Sequence, residues 1–578
     1  MVSQLLELRH PASPRPGGWQ RLFLGMALLQ LAFGCTAIVD PETKQCSSDA
    51  DCAALGSEFA GTTCTAKKVC ERTECSSTAD CNDRLGEPSY CRPDTKQCVK
   101  VLSDQCFSVY PQSALEEDDV VLVGFMAPLR DEPDSGYGTP LMEGAELALS
   151  EMETNEALLP PVESTGARTL AMLVCEHGDA LETARHLVED VGVQAIVGPA
   201  FSTPTIQVLR DVAQPNGVLL LSASATSPVI TELDDDGLMW RTAPSDEWQA
   251  EALKWVLLEI ERHLEDSDRV APGRANIVLT QKGEAAGSGL VYLTTNTNTK
   301  IEGVELPPNI EPDRTLPYGD PENDWGPVHE ELMLDPPDIV VALGTDEFVR
   351  NLLPLIEERW DEFPLAKGKP RPWYLLPEGD RTVALLAYAA DHPELAERVI
   401  GTAPGARRYR GPDNRGAGFP GFAGRFRGRY QHDPGNLAEF AYDAVYLLAY
   451  AIANTQLANP AGADIARALR LMSCKDTGSR LLSADPIGAV RAISTAAAAG
   501  ADGCLDFDGV SGPLDFDMQT GEARSDMGLW CLRQESSDFV FEPLLGAFYS
   551  TETYTLDETA WTVDLSAVDW CQRGTGGD

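Results

Sequence analysis

Basic side chains are scarce in this 578-residue chain: 45 lysines and arginines stand against 90 aspartates and glutamates, a net charge of −45. A field of that sign repels phosphate backbones and anionic lipid, so nucleic acid is excluded as the expected partner. Solubility is the simplest account of the charge. Histidines number only seven and lie scattered. No apolar run reaches the roughly 20 residues that a membrane-spanning helix needs. The phosphate loop Gly-x4-Gly-Lys-Ser/Thr, the zinc motif His-Glu-x2-His and the nucleophile elbow Gly-x-Ser-x-Gly are all absent. A binding protein without cofactor or metal is therefore expected, rather than an enzyme.

Cysteine, by contrast, is plentiful. Fifteen cysteines fit an oxidising compartment. The front end agrees. Arg9, Arg15 and Arg21 precede a short apolar run, Leu22 to Gly34, that ends in Leu31-Ala32-Phe33-Gly34-Cys35. Residues 1–34 read as an export signal of the lipoprotein type, with Cys35 as the lipidation site and plain secretion as the alternative. Contact with a membrane is then through that anchor alone, placing the body in the periplasm or on the cell surface. With Cys35 set aside, 15 − 1 = 14 cysteines remain, an even number that suits pairing.

Nine cysteines crowd into residues 46–106, and the region repeats itself. Cys46-Ser-Ser-Asp-Ala-Asp-Cys52 is echoed by Cys75-Ser-Ser-Thr-Ala-Asp-Cys81, and each pair is followed by two more, Cys64 and Cys70, then Cys91 and Cys98. Modules this short cannot bury enough apolar surface to fold alone, so disulfides are expected to hold them. The spacing allows three connectivities per module and selects none. It is Cys-x5-Cys rather than Cys-x2-Cys, which disfavours zinc. Residues 35–110 read as a stalk that spaces the body from the membrane or contacts a partner.

From Asp118 onward, short apolar runs alternate with amphipathic helices. The runs are 120–128, 169–175, 193–198, 217–222, 276–280, 338–343 and 373–376. In the helix expected over 179–191, Leu181, Ala184, Leu187, Val188 and Val191 share one face. Phe348, Leu352, Leu355 and Ile356 do the same over 346–360. Near-continuous apolar strands joined by helices predict α/β architecture with parallel sheets covered on both faces. About 440 residues exceed one such sheet, so two lobes are expected.

Ligands of open parallel sheets sit beyond the carboxyl ends of the strands. Ser202 and Pro204 follow one strand, and Ser202 is placed to cap the next helix. Ser224 to Pro228 follow another strand, and Pro377-Glu378-Gly379 a third. One lobe thus offers hydroxyls and N–H groups, and the other a carboxylate. Helix capping alone would also explain Ser202 and Thr226. His177, at a strand end, reads as structural. The basic stretches Arg407-Arg408-Tyr-Arg410 and Arg425–Arg429 read as a solvated face, with an anion site as the alternative.

Six segments in order resemble one family, the type I periplasmic binding proteins of the branched-chain amino acid (Leu/Ile/Val) class. They are Tyr137-Gly-Thr-Pro-Leu-Met-Glu-Gly-Ala-Glu-Leu-Ala148, Ile196-Val-Gly-Pro199 with Ser202 and then Ser224-Ala225-Thr226-Ser227-Pro228, Trp240-Arg241-Thr242, Pro377-Glu378-Gly379, Ala441-Tyr442-Asp443-Ala444-Val445, and Gly509-Val-Ser-Gly-Pro-Leu-Asp-Phe516-Asp517. The resemblance covers about residues 118–550. It implies two doubly wound lobes joined by three crossovers: 118–242 with 403–455 as lobe I, 243–402 with 456–550 as lobe II, and 551–578 as a tail. It implies that a small amino-acid-like ligand is captured between the lobes and delivered to an ABC permease; a ligand sensor or regulator of envelope enzymes on the same fold is the alternative. By position, Ser202, Thr203, Ser224, Ala225 and Thr226 would receive an α-carboxylate, Glu378 the α-ammonium, and Tyr137 would wall the side-chain pocket. The sequence departs from the family at Lys282-Gly-Glu-Ala-Ala-Gly-Ser-Gly289, which lacks an aromatic, and at Leu437, which stands where an aromatic is usual. Leu, Ile or Val is therefore not assumed as the ligand.

Overall fold

The computed structural model describes residues 44–573, apart from 57–58, 60–61, 66, 73, 131–134, 164, 283–299, 302–303, 306–311, 319–324, 406–417, 475–479, 501–502, 552–554, 557–564 and 566–569. The expected signal 1–34, Cys35, Arg407, Arg408, Arg410 and nearly all of the 282–289 stretch lie outside them. The chain forms two compact units, Met1–Arg72 and Thr73–Asp578.

The first unit is the first cysteine module. A one-and-a-half-turn helix, Asp49–Ala54, precedes a hairpin of Thr62–Cys64 and Cys70–Arg72. The Asp51 carboxylate accepts from the N–H groups of Ser47 and Ser48 and so caps the helix start. Disulfides join Cys46 to Cys64 and Cys52 to Cys70.

The second module opens the second unit and repeats the plan: helix Thr78–Leu85, hairpin Ser89–Cys91 with Cys98–Lys100, and disulfides Cys75–Cys91 and Cys81–Cys98. Pairing is first to third and second to fourth in both. This module is not a free spacer. Tyr90 and Val101 are buried in the same apolar cluster as Leu122, Leu173 and Leu187. Arg92 Nη1 donates to the carbonyls of Glu189 (2.6 Å) and Asp190 (3.1 Å). The expectation of a stalk through residue 110 thus fails for its second half, because apolar Tyr90 and Val101 pack against the body.

The body holds two sheets. In the first, β1 (Cys106–Tyr110), β2 (Val120–Ala127), β3 (Thr169–Glu176), β4 (Ala195–Val197), β5 (Leu219–Ser222) and β6 (Met239–Arg241) lie in the order β6-β5-β4-β2-β3-β1. All neighbours are parallel except the edge pair β1–β3. In the second, β7 (Ile277–Lys282), β8 (Arg314–Tyr318), β9 (Ile339–Leu343), β10 (Trp373–Leu376), β11 (Val399–Pro404), β12 (Met527–Glu535), β13 (Asp538–Ser550) and β14 (Thr555–Leu556) lie in the order β8-β7-β9-β10-β11-β12-β13-β14. The first five are parallel and the last three antiparallel. All eight residues of β3 are buried, as a strand covered on both faces requires.

Helix α1 (Ser135–Thr154) packs on α3 (Ala438–Thr455), whose residues 438–454 are all buried; α2 (Asp246–Asp266) packs on the second sheet. A Cβ on Gly144 would come within 2.1 Å of the Ala438 carbonyl, so only glycine lets α1 and α3 approach this closely.

The lobe boundaries differ from expectation at one place. The chain leaves the first core after β6 and the second after β11. It stays in the first core well past residue 455: Ile465, Leu469, Ile493, Leu505, Phe507 and Phe516 pack with α3, and the second core resumes at Met527. The third crossing therefore falls between Ala523 and Met527. The reason is the helices Gly462–Leu469 and Ala489–Ala499, whose small apolar faces close over α3. Cys474–Cys504 accordingly staples lobe I rather than the expected lobe II, while Cys531–Cys571 ties the tail helix Trp570–Arg573 to β12. With Cys106–Cys175 linking β1 to β3, the fourteen cysteines beyond Cys35 form seven disulfides. No helix among the described residues is long and apolar enough to cross a membrane.

Candidate functional site

Strand order reverses where β2 lies between β3 and β4, and again where β7 lies between β8 and β9; such switch points open a crevice at the strands' carboxyl ends. Gly198 ends β4 at φ +113°, where a Cβ would sit 2.4 Å from the Met126 carbonyl. This close approach sets the loop 199–203 against β2.

The loop residues are then fixed one by one. Ser202 does not cap the helix Ser202–Val208; Phe201 holds the N-cap position, and Ser202 is the first helical residue. Its Oγ instead accepts from the Ser227 N–H at 3.1 Å, across to the loop after β5. With that lone pair engaged, the Ser202 O–H remains a donor. The Ser224 hydroxyl donates to the Ala200 carbonyl (2.8 Å), and the Ser222 hydroxyl to the Pro199 carbonyl (2.8 Å). Ser222 Oγ in turn receives the N–H groups of Ser224 (3.4 Å) and Ala225 (3.0 Å). Those two N–H groups, expected to face a ligand carboxylate, are thus engaged within the loop. Thr203 is exposed and Thr226 half-buried.

Arg241, fully buried, anchors this loop. Its Nη1 donates to the carbonyls of Ala225 (3.2 Å) and Ser227 (2.9 Å), and its Nη2 pairs with Glu522 and Thr231. The first hinge crossing thus holds the hydroxyl side of the cleft.

The opposite side comes from lobe II. Glu378 follows β10 in a short turn, Glu378–Asp380, and is 7% exposed. Its Oε2 is buried without a hydrogen-bond partner, while the Gln249 side chain bonds the carboxyl group. Burial, then the nearby Asp246 carboxylate, push its pKa up from 4.5 to about 7. Asp246, 8% exposed, is the first residue of α2, and its N–H donates to the Thr226 carbonyl at 2.8 Å. Tyr137 stands beside both acids; burial, Glu378 and Asp246 together push its phenol well above the ordinary range. Tyr137, Thr226, Asp246 and Glu378 therefore converge on one place, with Ser202 one hydrogen bond away through Ser227.

Asp246, Gln249 and Asn436 were not singled out from the sequence. Ser245 marks a helix start, but nothing in the local pattern says that Asp246 turns toward Glu378. Asn436 Nδ2 donates to the Glu378 carbonyl at 2.8 Å.

Beside Tyr137 lies a small cavity of about 20 Å³, lined by Tyr137, Phe201, Thr345, Asp346, Arg350 and Thr382, among others. The Tyr137 and Phe201 rings are 5.2 Å apart, and His177 lies 5.5 Å beyond Phe201. Burial holds His177 below its ordinary pKa. Leu437 is buried in the lobe I core. The Arg425–Arg429 stretch is engaged internally: Arg425 pairs with Glu151 (2.6 Å), Arg427 with Asp433 (2.7 Å), and Arg429 bonds Ser150 and Tyr110. The clusters of cysteines that lie near enough to share an ion are the disulfide modules themselves.

No family model matches the chain. A Leu/Ile/Val-binding protein of Rhizobium johnstonii is 32% identical over 141 residues, a match that spans 24% of this chain and 36% of that relative. Among solved structures, a periplasmic binding protein type 1 from Bordetella pertussis Tohama I superposes with a TM-score of 0.51 at 17% identity, covering 74% of this chain and all of that one. The leucine-binding protein LivK of Thermotoga maritima gives 0.49 at 16%, covering 73% and 97%. The fold is that of the type I periplasmic binding proteins, and the likeness to the Leu/Ile/Val-binding class read from the residues is met in sequence as well.

Proposed function

We propose that this chain is an extracytoplasmic, non-catalytic solute-binding protein that captures an amino acid or a similar small zwitterion between its lobes and delivers it to an ABC uptake transporter. The observation that carries the reading is the buried, unpartnered Glu378 Oε2 on one jaw, close to Asp246, whose N–H bonds the Thr226 carbonyl of the opposite loop. A zwitterion enclosed between lobes loses its water, and each of its charges then needs a partner. An ammonium satisfies Glu378, with Asp246 nearby. A carboxylate takes the hydroxyls of Thr226 and Ser202, with Thr203, Ser224 and Ala225 forming the surrounding loop. Tyr137 walls the space between. Only the closed form offers both ends at once, so binding shifts the hinge equilibrium toward closure. Lipid attachment at Cys35 would hold the protein to a bacterial membrane.

A second reading, a ligand sensor or envelope-enzyme regulator, is favoured by the second cysteine module, which packs on lobe I and so extends the surface that a partner meets. Adjacent permease and ATPase genes would support uptake over sensing.

A thermal-shift screen of amino acids tests the reading. A ligand at 100 times its Kd should add about 2.7 kcal/mol of stability. Glu378→Ala should abolish the response; an unchanged response would remove Glu378 from the site.

A further inference from the structure

We infer that the pocket beyond Tyr137 is built for an uncharged polar side chain that both donates and accepts hydrogen bonds, a carboxamide or a hydroxyl, rather than for a branched apolar one. The inference rests on the proposed amino-acid site and concerns the far end of the same cleft.

The lining divides by lobe. Lobe I contributes the rings of Tyr137 and Phe201, 5.2 Å from centroid to centroid and tilted by 32° to each other. Lobe II contributes the polar groups of Thr345, Asp346, Arg350 and Thr382, together with Gly379 and Val383. Arg350 Nε and the Asp346 carboxylate form an ion pair one helical turn apart. Asp346 is mostly shielded, its side chain 13% exposed. The Thr382 hydroxyl is buried with no hydrogen-bond partner among the described residues.

An unpartnered buried hydroxyl costs about 1–3 kcal/mol relative to a bonded one. A ligand group that bonds it recovers that cost. A guanidinium beside a carboxylate presents donors and an acceptor together, which a carboxamide matches with its own oxygen and NH₂. An isobutyl or isopropyl group would leave Thr382 unbonded and strip water from the ion pair with nothing in return. A charged side chain would oppose one member of the pair. The contact with the Tyr137 and Phe201 faces suits the planar carboxamide without selecting it.

The test is a calorimetric panel on the full chain with glutamine, asparagine, serine and threonine, against leucine, isoleucine and valine, and against glutamate and lysine. The uncharged polar set is expected to bind about tenfold or more tightly than the branched set. Equal or tighter binding of leucine, isoleucine or valine overturns the inference and leaves the amino-acid site standing. Tightest binding by glutamate or lysine overturns it also. Binding by none of the panel overturns the amino-acid site and this inference with it. Thr382→Val and Arg350→Met, each checked for an unchanged melting temperature when empty, should narrow the polar preference. If the preference survives both substitutions undiminished, these residues do not set it and the inference falls.

Discussion

Asn436 reaches from the start of a lobe I helix to the backbone carbonyl of Glu378 in lobe II, 2.8 Å from its Nδ2. The bond joins the two jaws at the very residue whose carboxylate oxygen is buried without a hydrogen-bond partner. It aligns the Glu378 turn without using up the carboxylate.

Asn436→Ala should therefore loosen closure while leaving each lobe intact. A neutral hydrogen bond contributes about 0.5–1.5 kcal/mol, so ligand affinity should fall about 2- to 10-fold, with the melting temperature nearly unchanged. Calorimetry checks the affinity, and small-angle scattering should show a wider empty form. Unaltered affinity would mean that the bond does not report closure.

The raised pKa of Glu378 has a definite sign. Between about 4.5 and 7 the folded protein keeps a proton that the unfolded chain has released. Stability of the empty protein should therefore fall as pH rises through that window and level off above it. Glu378→Gln removes the burial cost of the charge, so the empty variant should melt higher than wild type at pH 8 and alike at pH 4.5. No gain at pH 8 would contradict the burial argument.

Ligand affinity should run the opposite way with pH. An ammonium needs the ionised carboxylate, so binding of amino acids should strengthen as pH rises through about 7 and then flatten. Asp246→Asn removes the charge that opposes ionisation of Glu378 and should move that rise to lower pH. Titration calorimetry across pH 5.5–8.5 tests both statements, and a flat profile in wild type would refute them.

Arg241 is the residue whose loss should cost most. Arg241→Met leaves Glu522 without its buried partner and frees the carbonyls of Ala225 and Ser227. Breaking such a pair typically costs about 3–5 kcal/mol. Denaturant unfolding should show a loss of that order, together with weaker ligand binding because the 225–227 loop is released. A loss under about 1 kcal/mol would show that the pair is dispensable.

Much of this protein could be read along the chain. The strand runs of the body fall within a few residues of the observed strands, and Trp373–Leu376 matches to the residue. Apolar periodicity and turn residues are local properties, and a parallel sheet covered on both faces imposes them on every strand. The cysteine repeat likewise announced two disulfide modules. Which cysteines pair, and that the second module packs on the body, depended on surfaces that meet only in space. The same is true of residues 456–523: their alternating pattern suits either lobe, and packing on α3 assigned them to the first. Ser202, Thr226 and Glu378 could be singled out because they follow strands, where a crevice opens. Asp246, Gln249 and Asn436 could not, because their meaning lies in proximity across the hinge. The sequence by itself determined the elements, their order and the oxidising chemistry of the cysteines. Tertiary structure alone decided the lobe boundaries, the pairing and the close approach of two acids, since burial and charge repulsion exist only between groups that folding has brought together.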